Sequence, residues 1–235
     1  AVTVLFFAWG FITSLIDPLV AAVKGIFTLS DTMAQLPAFA FFAAYGLMSF
    51  PAAKLIARFN SVPSILAALA TMVAGCLVML LAANLAIYLL VLVGLFILAS
   101  GITILQVAAN PLAAGLGNPK WSHFRLTFSQ TFNSFGTFLG PLIGAHLFLE
   151  GVEVKDGAAL DETVRAQALA GIDSAYFWLC GLIAALFLFF WFSRRVVDAA
   201  IPSAPVGPPA RMDELFREAL ASRWARIGAL AIFLY

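Results

Sequence analysis

The sequence predicts an all-α integral membrane protein, and three observations carry that reading. Apolar residues make up 63% of the 235-residue chain and charged residues only 11%, whereas soluble domains are roughly one-quarter charged. A soluble domain of this length has enough chain for a core but could not cover its surface with so few charges. The apolar residues also fall in blocks of about 20, the length that a helix needs to cross roughly 30 Å of hydrocarbon. Finally, the charged residues collect between the blocks and differ in sign from one side to the other.

Taken in order, the blocks predict six full spans, over about Val2–Val23, Met33–Ala57, Pro63–Ala82, Leu85–Leu112, Leu126–Leu149 and Ile172–Phe192. Each ends near a charged or turn-forming residue: Lys24 after the first, Arg58 and Asn60 after the second, Lys120 before the fifth, Arg194 after the sixth. A seventh block opens near Ile227 and reaches Tyr235, so the natural chain is expected to be longer. No cleavable signal peptide is expected, because the first block has neither a basic flank nor a small-residue cleavage site.

Loop charges set an orientation. Lys54, Arg58, Lys120, Arg125, Arg194, Arg195, Arg211, Arg217, Arg223 and Arg226 fall on one side, against Lys24, Lys155 and Arg165 on the other. Ten against three places the start of the chain and the loop after span six in the cytoplasm. That loop opens with a Pro- and Ala-rich linker, IPSAPVGPPA at 201–210. Met212, Leu215, Phe216, Ala219, Leu220 and Trp224 then recur at helical spacing opposite Asp213, Arg217 and Glu218, as in an amphipathic interfacial helix. The expected organisation is a six-helix bundle over 1–194, a cytoplasmic linker with its amphipathic helix over 195–224, and the opening of a seventh span over 225–235.

Several function classes drop out. A net charge of +1 with no basic face predicts no nucleic-acid partner. Cys76 and Cys180 lie inside apolar blocks with no His or second Cys at ligand spacing, so they read as core residues and no metal or cofactor is expected. His146 and His123 read as structural. An intramembrane protease is excluded as the first choice, because Asp17 is the only carboxylate deep in a span and no Gly-x-Ser-Gly run accompanies a buried His.

Polar groups inside the spans carry the functional signal, since each is costly in hydrocarbon. Trp9, Thr13 and Asp17 are spaced i, i+4, i+8, with Ser14 three residues before Asp17 and Pro18 directly after it. Asp17 reads either as a protonation site facing a partner or a wet cavity, or as a cap on the helix beyond the proline. Span four places Thr103, Gln106 and Asn110 at i, i+3, i+7, with Pro111 following Asn110 as Pro18 follows Asp17. Gln130, Asn133 and Thr137 repeat the spacing in span five. Amides both donate and accept, which suits sugar hydroxyls; their other use in membranes is as interhelical glue. Gly136, Gly140 and Gly144, four apart, read as close helix packing. The acid-Pro and amide-Pro pairs point to an inverted repeat of spans one to three and four to six.

These residues resemble a known family. HFRLTFSQTFNSFG (His123–Gly136) resembles the beginning of the fifth helix of fucose permeases, as FFAW with Leu15–Asp17 resembles their first helix. LASGITILQVAANPL (Leu98–Leu112) is similar to the fourth helix of bacterial glucose/galactose transporters. The likeness runs from span one through span six and implies the major facilitator fold, of which this chain would be the N-terminal half.

Residue by residue, the resemblance implies that Asp17 couples protons and that Gln130 and Asn133 line a sugar cavity, to which Gln106, Asn110, Ser14 and Trp9 are added here. At Gln106 the sequence departs from fucose permeases, which carry a second acid there, and follows the glucose/galactose branch. The loop PAAKLIARFNSVP also departs from the superfamily pattern, keeping Arg58 but having Ala53, Ala57 and Asn60 at glycine and acid places. The expected function is monosaccharide uptake by proton symport in a bacterial inner membrane, with the C-terminal half and the lipid bilayer as partners. Sodium coupling, uncoupled carriage and a non-transporting sugar receptor are the alternatives.

Overall fold

Lipid as the solvent forces every backbone polar group to be satisfied within its own segment, and the chain answers with helices. The computed structural model describes residues 2–149, 162–200, 217–218 and 220–234. The first span is two helices, α1 (Val2–Ser14) and α2 (Ile16–Ile26), broken at Leu15. The cause is local: Pro18 has no N–H for the Ser14 carbonyl, and it takes a place in the first turn of α2 where that donor is not needed.

The second span comprises α3 (Asp31–Ala34), whose Ser30 cap accepts from the Met33 amide at 3.4 Å, and α4 (Leu36–Phe59). Then come α5 (Ser61–Leu85), α6 (Tyr88–Gly115), a 3-10 turn at Pro119–Trp121, α7 (Ser122–Leu149), α8 (Glu162–Ala200) and α9 (Arg223–Leu234). Two connections are so short that single residues take left-handed backbone: Asn60 at φ 64° between α4 and α5, and Ala86 at φ 51° after α5. Ala86 lies in the left-handed helical region at ψ 43° and Asn60 outside it at ψ −179°, so both carry a steric cost.

Glycines set the helix pairing. In α7, Gly136 abuts the Phe7 carbonyl, Gly140 abuts the Ser14 side chain, and a Cβ on Gly144 would lie 2.7 Å from Pro18 Cγ. These contacts rise together along both helices, so α7 runs parallel to the first span. Between α5 and α6 the order is reversed: Gly75 faces the Leu98 backbone, while Gly94 faces Met79 and Gly101 faces Met72. The expected packing role of the α7 glycines is what the structure shows.

Further, α4 packs on α6 and α8 on α5. Exchanging spans one to three with four to six turns the α1–α7 pair into the α6–α4 pair, as the inverted repeat requires. Phe6, Leu19, Phe41, Leu69, Leu95 and Phe190 are among the buried core. Phe39, Phe42, Phe138, Trp178 and Phe192 stand exposed on the outside, which suits a surface whose solvent is hydrocarbon rather than water.

Five of the spans are long and apolar enough to cross a membrane. The remaining one, α7, has 28 residues, but Thr127, Ser129, Gln130, Thr131, Asn133, Ser134 and Thr137 make its middle polar. The sixth span starts earlier than its apolar block: α8 already begins at Glu162, because residues 162–171 are good helix formers that continue the helix beyond the hydrocarbon. Asp173 lies on α8 and accepts from Asn84 Nδ2 at 2.8 Å. The helix also runs on to Ala200, past the expected boundary at 194. Of the expected amphipathic helix, residues 212–216 and 219 lie outside the described residues, whereas Arg217, Glu218, Leu220 and Trp224 are exposed.

Two substitutions test this packing. Gly136→Ala places a Cβ against backbone of α1, which cannot move aside, and is expected to destabilise the bundle by about 1–3 kcal/mol. Ala86→Gly relieves the left-handed strain and is expected to stabilise it by about 1 kcal/mol. Thermal unfolding in detergent reads both, with opposite signs.

Candidate functional site

The site is built from polar side chains that the helices bring to one line. Asp17 lies in the first turn of α2, nine residues before Ile26 and so about 14 Å in from that end of the span. Its carboxylate is exposed on this bundle and has no hydrogen-bond or ion-pair partner among the described residues. The helix N-terminus beside it favours negative charge. It does not cap α2: the cap position is Leu15, with no side-chain bond.

One turn before Asp17, on α1, stands Thr13, whose Oγ1 is buried without a hydrogen-bond partner. Beside it is Tyr45 of α4. The Tyr45 hydroxyl accepts from Gln106 Nε2 of α6 at 3.2 Å. One turn further along α6, Asn110 Oδ1 accepts from Gln130 Nε2 of α7 at 3.5 Å. The result is a polar line from Asp17 through Thr13, Tyr45, Gln106 and Asn110 to Gln130, crossing five helices and descending to Asn110, five residues and so about 8 Å from the end of α6. Asn133, one turn from Gln130, packs on Gly10 of α1 with its Oδ1 buried and unpartnered.

The remaining residues picked from sequence lie elsewhere. Trp9 is 4% exposed and packs on Phe6 with ring centroids 4.2 Å apart. Ser14 is buried against Gly140, its hydroxyl donating to its own helix at the Gly10 and Phe11 carbonyls, 3.0 and 3.1 Å away. Both sit behind the line, between helices. Thr103 likewise donates back to Ala99 at 2.8 Å. Tyr45 was missed from sequence, although it is the one hydroxyl-bearing aromatic in a span otherwise rich in Phe.

A second feature closes the end of the bundle where α6 meets α7. The Arg125 guanidinium donates to the carbonyls of Ala113 (3.3 Å), Ala114 (2.6 Å) and Asn118 (2.8 Å). It thus satisfies carbonyls that the last turn of α6 leaves open and places positive charge at that helix C-terminus. Next to it is a mostly apolar cavity of about 320 Å³ between Val2, Leu116, Phe128 and Val196. None of the site amides lines it.

Polar groups half-exposed at mid-span belong against a wet cavity or a protein partner rather than against lipid tails. A six-helix bundle with two inverted repeats and such a face is the architecture of one half of a membrane carrier. Residues 2–235 match the Major Facilitator Superfamily model, and the chain belongs to that superfamily. It is 39% identical to the glucose/galactose transporter of Brucella abortus biovar 1 (strain 9-941) over its whole length, which is 54% of that protein. It is 36% identical to the L-fucose-proton symporter of Escherichia coli (strain K12) over 71% of this chain and 38% of that one.

Among solved structures, the crystal structure of the Major Facilitator Superfamily transporter FucP in the outward conformation superposes with a TM-score of 0.75 at 28% identity. It covers 96% of this chain and 55% of that one. The chain thus spans about half the length of these relatives. The family and the relatives named are transporters, not enzymes.

The Arg125 clamp is open to a direct test. Arg125→Ala leaves open carbonyls at the end of α6 and is expected to cost about 2 kcal/mol of stability. Arg125→Lys recovers only part, because one ammonium cannot fork to three acceptors. Thermal unfolding of both variants beside the unsubstituted protein measures the difference.

Proposed function

We propose that this chain forms the N-terminal half of a bacterial inner-membrane carrier that takes up a monosaccharide with protons. The observation that carries this reading is the polar line from Asp17 to Gln130. It joins a protonatable carboxylate to a run of amides that can both donate to and accept from sugar hydroxyls. The naming of relatives as glucose/galactose transporters and L-fucose-proton symporters supports the same substrate class. A second six-helix half would close the other wall of the cavity.

In this reading Gln106, Asn110, Gln130 and Asn133 hold the sugar, while Trp9 and Ser14 support the wall from behind. Asp17 is protonated when the cavity faces outward. Only the doubly loaded or the empty carrier then rocks, because an ionised carboxylate is costly in a closed, dry cavity. Lys54, Arg58, Lys120, Arg125, Arg194 and Arg195 gather at the end of the bundle where α1 begins, which supports placing that end in the cytoplasm.

Gln106 in place of an acid leaves Asp17 as the one carboxylate at mid-span among the described residues, so a single substitution should uncouple transport. In weakly buffered cells, addition of the substrate sugar is expected to alkalinise the medium. Asp17→Asn is expected to abolish this while sugar exchange persists. Clear uptake without any pH change in the unsubstituted protein would remove Asp17 from coupling and favour sodium symport or uncoupled carriage.

A further inference from the structure

We propose that Tyr45 fixes the hydrogen-bonding polarity of the sugar site by holding the Gln106 amide in one orientation, making Gln106 an acceptor toward the sugar. This inference rests on the sugar reading above and adds to it a residue and a direction of recognition. Gln106 Nε2 donates to Tyr45 Oη at 3.2 Å, so one end of the amide is tied and Oε1 is left without a protein partner among the described residues. The tie has a direction because a phenol has one proton. With its lone pair accepting from Gln106, the Tyr45 O–H is free to donate toward Thr13 Oγ1, the open and buried oxygen beside it.

That arrangement disfavours the flipped amide, in which Oε1 would require the same phenol proton. The Tyr45 ring is itself held, lying 5.4 Å from Phe41 and 6.4 Å from Phe42 between centroids, with Phe41 fully buried. The neighbouring Gln130–Asn110 pair has no such anchor: Gln130 Nε2 donates to Asn110 Oδ1, which leaves one carbonyl and one amine open among the described residues. An amide carbonyl fixed as that of Gln106 is selects for a hydroxyl donor at a set position on the sugar ring. A free glutamine would accept either polarity.

The test uses the full-length transporter and a set of monosaccharides in which each hydroxyl in turn is replaced by fluorine, which accepts weakly and cannot donate. For the unsubstituted protein, one fluoro-sugar is expected to lose at least about tenfold in apparent affinity, the scale of one lost hydrogen bond to a buried group. Tyr45→Phe keeps the ring and removes the tie. The amide is then free to turn its N–H to the fluorine, and the penalty for that analogue is expected to fall to within about threefold. The KM for the parent sugar should rise with kcat little changed.

A double variant guards against a merely structural effect. Tyr45→Phe combined with Gln106→Leu should discriminate to the same extent as Gln106→Leu alone, since the two residues act through one interaction. A Tyr45→Phe protein that keeps the full fluoro-sugar penalty, or a double variant whose losses simply add, overturns the proposal. Failure of the unsubstituted protein to take up any monosaccharide would instead strike down the sugar reading, and this inference with it.

Discussion

A polar side chain in the middle of a bilayer finds no partner in lipid, and most of this structure is arranged around that constraint. Hydroxyls not needed for the site turn back onto their own helices: Ser14, Ser64, Ser100 and Thr103 all donate to a carbonyl one turn earlier. Gln106, Asn110 and Gln130 instead pair across helices, and Asp17 stands exposed. The difference separates side chains that merely tolerate the membrane from those that need a wet face or a second protein surface.

The helices reach this arrangement through small residues. Gly10, Gly136, Gly140 and Gly144 allow α1, α2 and α7 to approach to backbone contact, and dispersion across that contact substitutes for the hydrophobic drive that lipid cannot supply. The close approach brings Asn133 against α1 and fixes the height of Gln130 relative to Thr13. The Arg125 clamp holds α6 to α7 less than two turns from the Asn110–Gln130 pair. Packing at the glycines and capping at the arginine therefore position the amides, although neither touches the polar line.

Much of this was legible in the sequence because hydrocarbon thickness imposes block length. The spans follow from it, and the four-residue spacing of Gly136, Gly140 and Gly144 marked close packing, although the partner helix and its parallel direction came only from the structure. The helix extension over Glu162–Gly171 did not follow from block length, since a helix leaving the membrane is no longer bound to be apolar. Trp9, Ser14 and Asp17 read as one face only if the first helix is continuous. Eight residues turn a helix about 80° past two full turns, and Trp9 is buried against Phe6 while Asp17 is exposed. Tyr45 escaped notice because its role depends on a contact 61 residues away with Gln106, and no local spacing encodes such a contact.

The central claim is that the Asp17–Gln130 line faces a water-filled, sugar-occupied space while Trp9 and Ser14 do not. Its most direct test is cysteine accessibility in the full-length protein, with Cys76 and Cys180, both free thiols, first replaced by alanine. Single cysteines at Tyr45, Gln106 and Gln130 should react with a membrane-impermeant thiol reagent and be protected by the transported sugar. Cysteines at Trp9 and Ser14 should stay inert. Labelling at Trp9 or Ser14 with inert Gln106 and Gln130 positions would contradict the account.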